Sequence, residues 1–489
     1  MTIATYDLAI IGGGINGAGL ARDAAGRGLS VFPCEKSDIG SATSSASTKL
    51  IQGGLRYLEH YQLGLVRHAL REREVLWKIA QHIIWPLRFV LPHRKGMWPD
   101  WLLRFGLLIY DHLGGRKTLP GTQALNHSRD PLGVPLRDVS SIGFEYSDCW
   151  VQDNRLVVLN VRDAENRGAD IRTRTRLVRA NRENGFWQVS VEDTETGVFE
   201  NIRSRALVNA AYIVVPRVYE HDRGYMFQNP DGRVFFAVPY GNDFTLIGTT
   251  DVDFKDQPDN IRISDDETDY FCKAASSYFK TWVKPSDVVW SYSGVRPLYN
   301  DGAAHAQKTT RDYVLEIDGA ENEAPLLTIF GGMITTYRCL TEDAIETLAS
   351  RFPKWSAKAA CTDKHALPGG DFPADGAERR VQDLVRDYGF LDIRAARRLV
   401  RHYGSEARDI LAGSRACGDL GRSFNVDLPE AEVQFPMARN CARTSEDMVF
   451  RRTKAGIRMN LHEIAELDAW MLKHRTAARM QRQEEVIAR

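Results

Sequence analysis

Glycines at positions 12, 14 and 17 have the G-x-G-x-x-G spacing, directly after an apolar run over residues 6–12. The first glycine of such a motif allows a tight turn, the second lets the backbone approach a pyrophosphate, and the third lets a helix pack closely on a strand. The positive end of the helix dipole would then face the pyrophosphate. Glu35 ends the next apolar run, where a carboxylate can bind a ribose hydroxyl. Together these residues predict a dinucleotide site.

The hydrophobic pattern predicts the elements that must position this motif. Residues 6–12 and 29–34 are predicted as strands and 15–27 as the helix between them, which gives a βαβ unit. Further helices are predicted at 61–82, 155–168 and 334–351, and further strands at 170–181, 186–193, 204–211 and 325–331. Two apolar runs within 233–251, separated by residues 240–243, predict a hairpin.

The composition changes after about residue 352. A stretch rich in Pro and Gly around 367–373 predicts a linker, and the residues beyond it are rich in Arg, Ala, Glu and Leu with helical spacing. We therefore expect a first region over 1–352, a linker over 353–376 and a separate helical domain over 377–489.

Charge and cysteine usage narrow the class of protein. The 64 Lys and Arg residues balance 64 Asp and Glu residues, which gives no reason to expect nucleic acid as a partner. The seven cysteines are scattered and form no C-x-x-C pair. This usage argues against a disulfide framework and a zinc site, and for a reducing compartment, so we expect no metal. The first residues run straight into a predicted strand, so we expect no signal peptide.

Two apolar segments, 83–92 and 101–110, fall well short of the roughly 18 residues that a spanning helix needs. Each is interrupted by an arginine. Trp85, Trp98 and Trp101 lie among basic residues, a pattern that fits an anchor at a membrane interface. Ordinary buried helices fit these segments equally well, so both interpretations stay open.

The segment over residues 40–60 reads GSATSSASTKLIQGGLRYLEH. Its small hydroxyl residues and Gly53-Gly54 suit a backbone that runs close to a large planar ring. It resembles the flavin-approach loop of the FAD-dependent, aerobic, membrane-associated glycerol-3-phosphate dehydrogenases. Further blocks that resemble this family follow in the family's order, at residues 144–150, 248–251, 292–298, 310–313, 330–338, 367–370 and 451–454. They span nearly the whole chain.

The resemblance implies an α/β fold. A Rossmann-like FAD-binding domain and an antiparallel-sheet substrate domain would interleave over 1–352, followed by the helical C-terminal domain. It implies FAD as cofactor and oxidation of sn-glycerol 3-phosphate to dihydroxyacetone phosphate, with electrons passed to a membrane quinone. The expected position is cytoplasmic and peripheral, on the inner face of the cell membrane. The oligomeric state stays open, with a homodimer as one option.

The resemblance also assigns residues to the site. Arginine is planar, always charged and bidentate, and so suits a phosphate; Arg56, Arg296 and Arg311 are the expected substrate residues, with Tyr57 as a hydroxyl partner. Gly331-Gly332 would aim backbone N–H groups and a helix dipole at the flavin, with Thr335 and Thr336 in the first helical turn. The expected FAD contacts are Gly12, Gly14, Ile15, Asn16, Gly17, Glu35, Lys36, Thr43, Ser44, Ser47, Gln52, Gly53, Gly54, Gly332, Met333, Ile334 and Thr335.

Three positions depart from the family pattern. The chain passes directly from Ala211 to Tyr212, without the segment that carries the family's active-site histidine. Met333 and Gln52 replace a family lysine and a family histidine, and neither can carry a charge. His221 is a candidate replacement base. A flavin-binding paralogue with impaired or different activity is therefore the alternative, and a flavin enzyme for another anionic substrate, such as an amino acid or a polyol phosphate, is a third interpretation.

Overall fold

A computed structural model describes most of the chain. The described residues are 3–41, 43–45, 47–60, 62–93, 99–115, 118–137, 142–209, 224–228, 234–240, 244–248, 265–289, 291, 312–357, 359–425 and 427–487. The strands among them, in chain order, are β1 (Thr5–Ile11), β2 (Val31–Glu35), β3 (Leu50–Ile51), β4 (Ile84–Pro92), β5 (Gln123–Asn126), β6 (Ile142–Val151), β7 (Arg172–Thr173), β8 (Thr175–Glu183), β9 (Phe186–Asp193), β10 (Phe199–Asn209), β11 (Gly224–Gln228), β12 (Val234–Tyr240), β13 (Phe244–Gly248), β14 (Val314–Asp318), β15 (Leu326–Phe330), β16 (Ser423–Asn425) and β17 (Leu428–Pro429).

The helices cover both the first region and the C-terminal part. They are α1 (Ile15–Gly26), α2 (Leu63–Ile79), α3 (Asp100–Leu113), α4 (Asp153–Asn166), α5 (Asp265–Tyr278), α6 (Tyr337–Ala349), α7 (Ala377–Asp387), α8 (Ile393–Tyr403), α9 (Ala407–Leu411), α10 (Glu430–Arg439) and α11 (Leu461–Ile487). In the part of the chain that the structure describes, no helix is both long and apolar enough to cross a membrane.

The first sheet carries the glycine motif. Its strands follow the order β14-β15-β10-β1-β2-β7, and β2, β1, β10 and β15 run parallel to one another. The chain leaves β1 for β2 on one side, while β10 and β15 lie on the other. Such a divergence creates a crevice at the carboxyl end of the central strand, where open α/β sheets bind their ligands. The predicted Rossmann-like domain is confirmed.

The second sheet follows the order β13-β12-β11-β4-β6-β3 and is mostly antiparallel, as expected for the substrate domain. The predicted hairpin is formed by β12 and β13. Residues 84–92, however, are neither a helix nor an anchor. They form a central strand because Phe89 and Val90 are fully buried in this sheet, and β4 pairs along its whole length with β6.

Helix α1 is rich in alanine and packs between α4 and α6. Its inner surface includes a charge that the hydrophobic pattern did not reveal, because Arg22 is 1% exposed and donates to Asp163 at 2.7 Å. The same guanidinium donates to the carbonyl of His365 at 2.7 Å, within the stretch predicted as a linker. Leu367 of that stretch is buried and donates its N–H to the carbonyl of Ile79. The stretch is therefore packed against the first region.

Candidate active site

The glycine turn between β1 and α1 has the geometry that the motif requires. Gly12 has a φ of 110°, a conformation that other residues rarely adopt. A Cβ on Gly17 would lie 2.0 Å from the carbonyl oxygen of Gly12, so only glycine fits there. Gly14 is the N-cap of α1, which places the helix N-terminus at the carboxyl end of β1.

Glu35 lies beside this turn at the end of β2. Its carboxylate accepts hydrogen bonds from the backbone N–H of Gly13 at 2.7 Å and of Ser37 at 2.9 Å. Lys36 follows on the exposed side of the same turn. The carboxylate therefore stands at the rim of the crevice, attached to the glycine loop, where the sequence motif placed it.

A second segment, residues 43–54, crosses the start of α1. The Ser44 hydroxyl accepts the N–H of Ile15 at 2.9 Å, so this loop touches the first turn of the helix. Ser47 donates its hydroxyl to Asp153 at 2.8 Å, and Lys49 donates to the same carboxylate at 2.5 Å. Asp153 is fully buried at the start of α4. The loop is thus held from both ends by buried polar contacts.

Gly53 rests on a buried group of charges that sequence analysis missed. Its N–H is shared between the Tyr110 hydroxyl at 2.9 Å and the Asp148 carboxylate at 3.2 Å. Tyr110 donates to Asp148, and Arg73 donates to the same carboxylate at 2.8 Å. Burial raises the pKa of the Asp148 carboxyl, and the Arg73 guanidinium opposes that rise. The only signal in the sequence was that Asp148 belongs to the block 144–150.

A third segment, residues 331–335, closes the crevice from the β15 side. Gly332 has a φ of 91°, and a Cβ there would lie 2.7 Å from Leu340. Asn16 donates its amide to the carbonyl of Gly331 at 3.3 Å. The Thr335 hydroxyl donates to the carbonyl of Gln52 at 3.3 Å. The starts of α1, the 43–54 loop and the 331–335 loop therefore meet at one place.

The same segment corrects one expectation. Helix α6 begins at Tyr337, so Thr335 and Thr336 precede the helix rather than forming its first turn. The Thr336 side chain makes no capping bond; its hydroxyl donates to the carbonyl of Met333 instead. Ile334 is partly buried and packs against the core beneath α1. The reason for the shift is that Gly331 and Gly332 have positive φ and are followed by a turn in which the Thr336 N–H donates to the Met333 carbonyl, so the helix begins only at Tyr337.

Tyr57 reaches the third segment, since its hydroxyl lies 3.9 Å from the sulfur of Met333. Of the four expected substrate residues, Tyr57 is the one whose side chain the structure describes, and this side chain lies at the crevice. Arg296, Arg311 and His221 lie outside the described residues, as does the junction after Ala211. The side chains of Arg56 and Thr43 are also outside what the structure describes.

Three possible metal ligands lie together outside the crevice. One ligand atom each of His68, Glu72 and Cys339 falls within 4.8 Å of the others. Arg338 donates to both carboxylate oxygens of Glu72, at 2.7 and 2.8 Å. A buried guanidinium at that distance repels a cation, so the cluster is better described as an ion pair with neighbours.

Comparison with protein families identifies both parts of the chain. Residues 7–338 match the model of the FAD-dependent oxidoreductase family. Residues 360–472 match the C-terminal domain of alpha-glycerophosphate oxidase.

Individual relatives match over nearly the full length. D-erythritol 1-phosphate dehydrogenase of Brucella abortus is 44% identical over 95% of this chain and 97% of its own. Aerobic glycerol-3-phosphate dehydrogenase of Escherichia coli is 42% identical over 96% of this chain and 98% of its own. The latter alignment runs over 500 positions, more than the 489 residues of the chain, so it includes positions where the relative alone has residues.

A solved structure shares the fold. Glycerol-3-phosphate dehydrogenase from Bacillus halodurans, complexed with FAD, superimposes with a TM-score of 0.73 at 24% identity. The match covers 99% of this chain and 94% of the other.

Proposed function

The chain belongs to the family of FAD-dependent oxidoreductases, in the group that includes the glycerol-3-phosphate dehydrogenases, and from this premise we propose that it oxidises sn-glycerol 3-phosphate to dihydroxyacetone phosphate. The observation that carries the proposal is the meeting of three segments at the carboxyl ends of β1, β2 and β15. In each segment a glycine packs against other protein atoms where a Cβ would have no room, which lets the three segments approach one another closely at this place.

The residues of the crevice fit FAD in distinct roles. We assign the start of α1, with Gly14, Ile15 and Asn16, to the pyrophosphate, because a helix N-terminus offers N–H groups and a positive dipole end. Glu35 suits the ribose. The remaining contacts expected for the flavin side are those of the two loops that meet across the crevice: Ser44, Ser47, Gln52, Gly53, Gly54, Gly332, Met333, Ile334 and Thr335. Bound FAD would accept the hydride that leaves C2 of the substrate.

Substrate binding requires a cation, and proton removal from the C2 hydroxyl requires a base. Arg56, Arg296 and Arg311 are proposed to hold the phosphate, because a guanidinium forms paired, charge-assisted hydrogen bonds with phosphate oxygens. Tyr57 lies beside Met333 and can orient a substrate hydroxyl. Neither Gln52 nor Met333 can take the proton, so the base must be another group.

A second candidate substrate follows from the relatives. The Brucella abortus relative is named D-erythritol 1-phosphate dehydrogenase and is as similar in sequence as the Escherichia coli enzyme. A polyol phosphate with one more carbon presents the same phosphate and the same oxidisable hydroxyl. The additional group is CHOH, so discrimination between the two would depend on room around it and on hydrogen bonds to its hydroxyl. Room for one extra carbon is worth only about 10–200-fold, whereas a site built to bind the hydroxyl can discriminate by about 10⁴-fold or more.

The decisive experiment begins with the visible spectrum of the purified chain. sn-Glycerol 3-phosphate, D-erythritol 1-phosphate and unphosphorylated glycerol are then added separately without oxygen. We expect the absorbance of oxidised flavin to disappear with one or both phosphates and to persist with glycerol. Flavin that stays oxidised with all three would contradict the dehydrogenase assignment, and a colourless protein would contradict FAD binding.

We further propose that electrons pass to quinone at a membrane surface, and that α3 faces the lipid. Trp101, Phe105 and Leu108 are 68%, 55% and 54% exposed and lie on one face of the helix, while Leu107 and Tyr110 on the other face are buried. Exposed aromatic and aliphatic side chains in such a stripe suit the interface of a bilayer. Trp85 is excluded from this surface, since it lies on β4 with Arg401 3.9 Å above its ring.

Co-sedimentation with vesicles that contain anionic lipid tests this surface. Phe105→Glu should lower the bound fraction, because it places a charge on the apolar stripe. Phe199→Glu is the matched control, since Phe199 is 62% exposed but lies on β10. Equal binding of the two variants would contradict the assignment of α3.

A further inference from the structure

The block 451–454 has no part in the reaction proposed above, although it carries two buried charges. Arg452 is 0% exposed, and its two terminal nitrogens donate to the two oxygens of Asp38, each at 2.7 Å. Arg451 donates to the same carboxylate at 2.5 Å. Asp38 is 1% exposed. A carboxylate from the first region is therefore held by two consecutive arginines from the C-terminal part.

Asp38 lies in a turn that contacts the glycine loop. Asp38 lies in the turn that follows Glu35, and within that turn Gly40 donates its N–H to the carbonyl of Gly13 at 2.9 Å. Three residues later begins the short helix whose Ser44 accepts the N–H of Ile15. The turn held by the arginines thus connects directly to the glycine loop and to the start of α1.

A second set of contacts holds the far side of the same loop. The carbonyl of Phe450 accepts from Lys454 at 2.6 Å and from Asn154 at 3.0 Å. Asn154 follows Asp153, the buried carboxylate that binds Ser47 and Lys49. Residues 450–454 therefore contact the supports of the 38–49 loop at two places. The arginines belong to a π-helix over Asp447–Arg452, a rare conformation that often marks functional sites.

We propose that Asp38, Arg451 and Arg452 are positioning residues for FAD: the C-terminal part fixes the 38–49 loop against the start of α1 and thereby sets the affinity for the cofactor. The proposal rests on the FAD-binding part of the proposed function and not on its substrate. Loss of the Asp38 carboxylate leaves the buried Arg452 guanidinium without the carboxylate it binds and removes one of the three carboxylates that pair with Arg451. This change frees the turn beside Glu35.

Titration of the apo form of the full chain with FAD, followed by flavin fluorescence, tests the proposal. Asp38→Asn should weaken FAD binding by about tenfold or more. The matched control is Glu406→Gln, because Glu406 forms a similar two-pronged pair with Arg162 of α4, at 2.6 Å for each contact, across the same boundary but away from the loop. The control should change FAD affinity less than about twofold.

Melting temperature with and without FAD separates positioning from general stability. A merely structural role would lower both temperatures in Asp38→Asn and leave the FAD-induced rise unchanged, whereas the proposal requires a smaller rise. If Asp38→Asn fails to fold, Arg451→Lys decides, since it leaves the Asp38–Arg452 pair intact and should still weaken FAD binding more than Glu406→Gln does. Equal FAD affinity in Asp38→Asn, Arg451→Lys and the control would overturn the proposal. A wild-type chain that does not bind FAD would instead overturn the proposed function.

Discussion

The two large sheets position their parts of the crevice by different means. In the first sheet, the turn after β1 is fixed by backbone: Gly12 has a positive φ, and Gly17 has no room for a side chain. In the second, the position of Gly53 depends on the buried side chains of Arg73, Tyr110 and Asp148, which come from three separate elements. Local backbone requirements are visible in a sequence motif. A charge group assembled from distant residues is not.

The largest effect is expected from the second arrangement. Asp148→Ala leaves Arg73 buried without its carboxylate and removes an acceptor from Gly53, so we expect unfolding free energy to fall by ~3–5 kcal/mol. Urea denaturation of the FAD-bound protein measures it. Glu192→Ala is the control: it breaks an exposed pair with Arg176 and should cost under ~1 kcal/mol. A loss as small as the control's would show that the buried charges do not hold the loop.

A change in the glycine turn after β1 should lower the unfolding free energy less than Asp148→Ala does, but should weaken FAD binding more. Gly17→Ala places a Cβ against the carbonyl of Gly12, and such overpacking costs ~1–3 kcal/mol. FAD binding should weaken as well, because the helix start must move away from β1. Gly106→Ala is the control, since a Cβ on this glycine of α3 meets nothing within 4 Å and should stabilise by ~0.5–1 kcal/mol. Equal effects would refute the requirement for glycine at position 17.

Two buried histidines should make the stability of the protein depend on pH. His82 and His402 are buried, and burial lowers the pKa of each from the usual 6.5 to about 3. No described residue forms a hydrogen bond with either ring nitrogen of His82. The unfolded chain binds protons on these histidines at higher pH than the folded chain does. Their contribution to the unfolding free energy is therefore fully present above pH 6.5 and is lost as the pH decreases towards 3.

Each of these histidines should therefore remove ~1.4 kcal/mol of stability per pH unit within that window. His82→Leu should reduce the slope of unfolding free energy against pH between 5 and 6.5. His462→Leu is the matched control, because it removes an imidazole whose side chain is 83% exposed. An unaltered slope in His82→Leu would mean that this imidazole is hydrated in the folded protein.

The same contrast explains how far the sequence predicted the structure. The βαβ unit, the hairpin of β12 and β13 and the crevice glycines were predicted, because periodicity and glycine spacing act over short distances. Residues 84–92 were misjudged because a short apolar run suits a buried strand and a buried helix equally, and only the partner β6 decides. The start of α6 was placed too early because apolar periodicity does not distinguish the turn from Met333 to Thr336 from the first turn of a helix.

The parts of the site formed by residues close together in the sequence were predicted. The parts formed by residues far apart in the sequence were missed. Glu35 lies where the motif placed it, at the glycine turn. Asp38, 413 positions before Arg451, carries no pattern that connects the two. Sequence patterns also assign charged residues such as Arg22 to the surface. Burial of a charge depends on a partner that only the folded structure brings close.

The smallest effect on stability tests the crevice most directly. Tyr57 makes a weak contact with Met333, at 3.9 Å from hydroxyl to sulfur, so Tyr57→Phe should change unfolding free energy by less than ~0.5 kcal/mol. If the hydroxyl binds substrate, kcat/KM for sn-glycerol 3-phosphate should still fall by about tenfold, since one hydrogen bond to a charged or reacting group is worth ~1.5 kcal/mol or more. The ratio of the two effects is informative because a structural tyrosine would lower both together. A variant with full kcat/KM would place the substrate elsewhere and leave the arginines, rather than Tyr57, as the residues that recognise it.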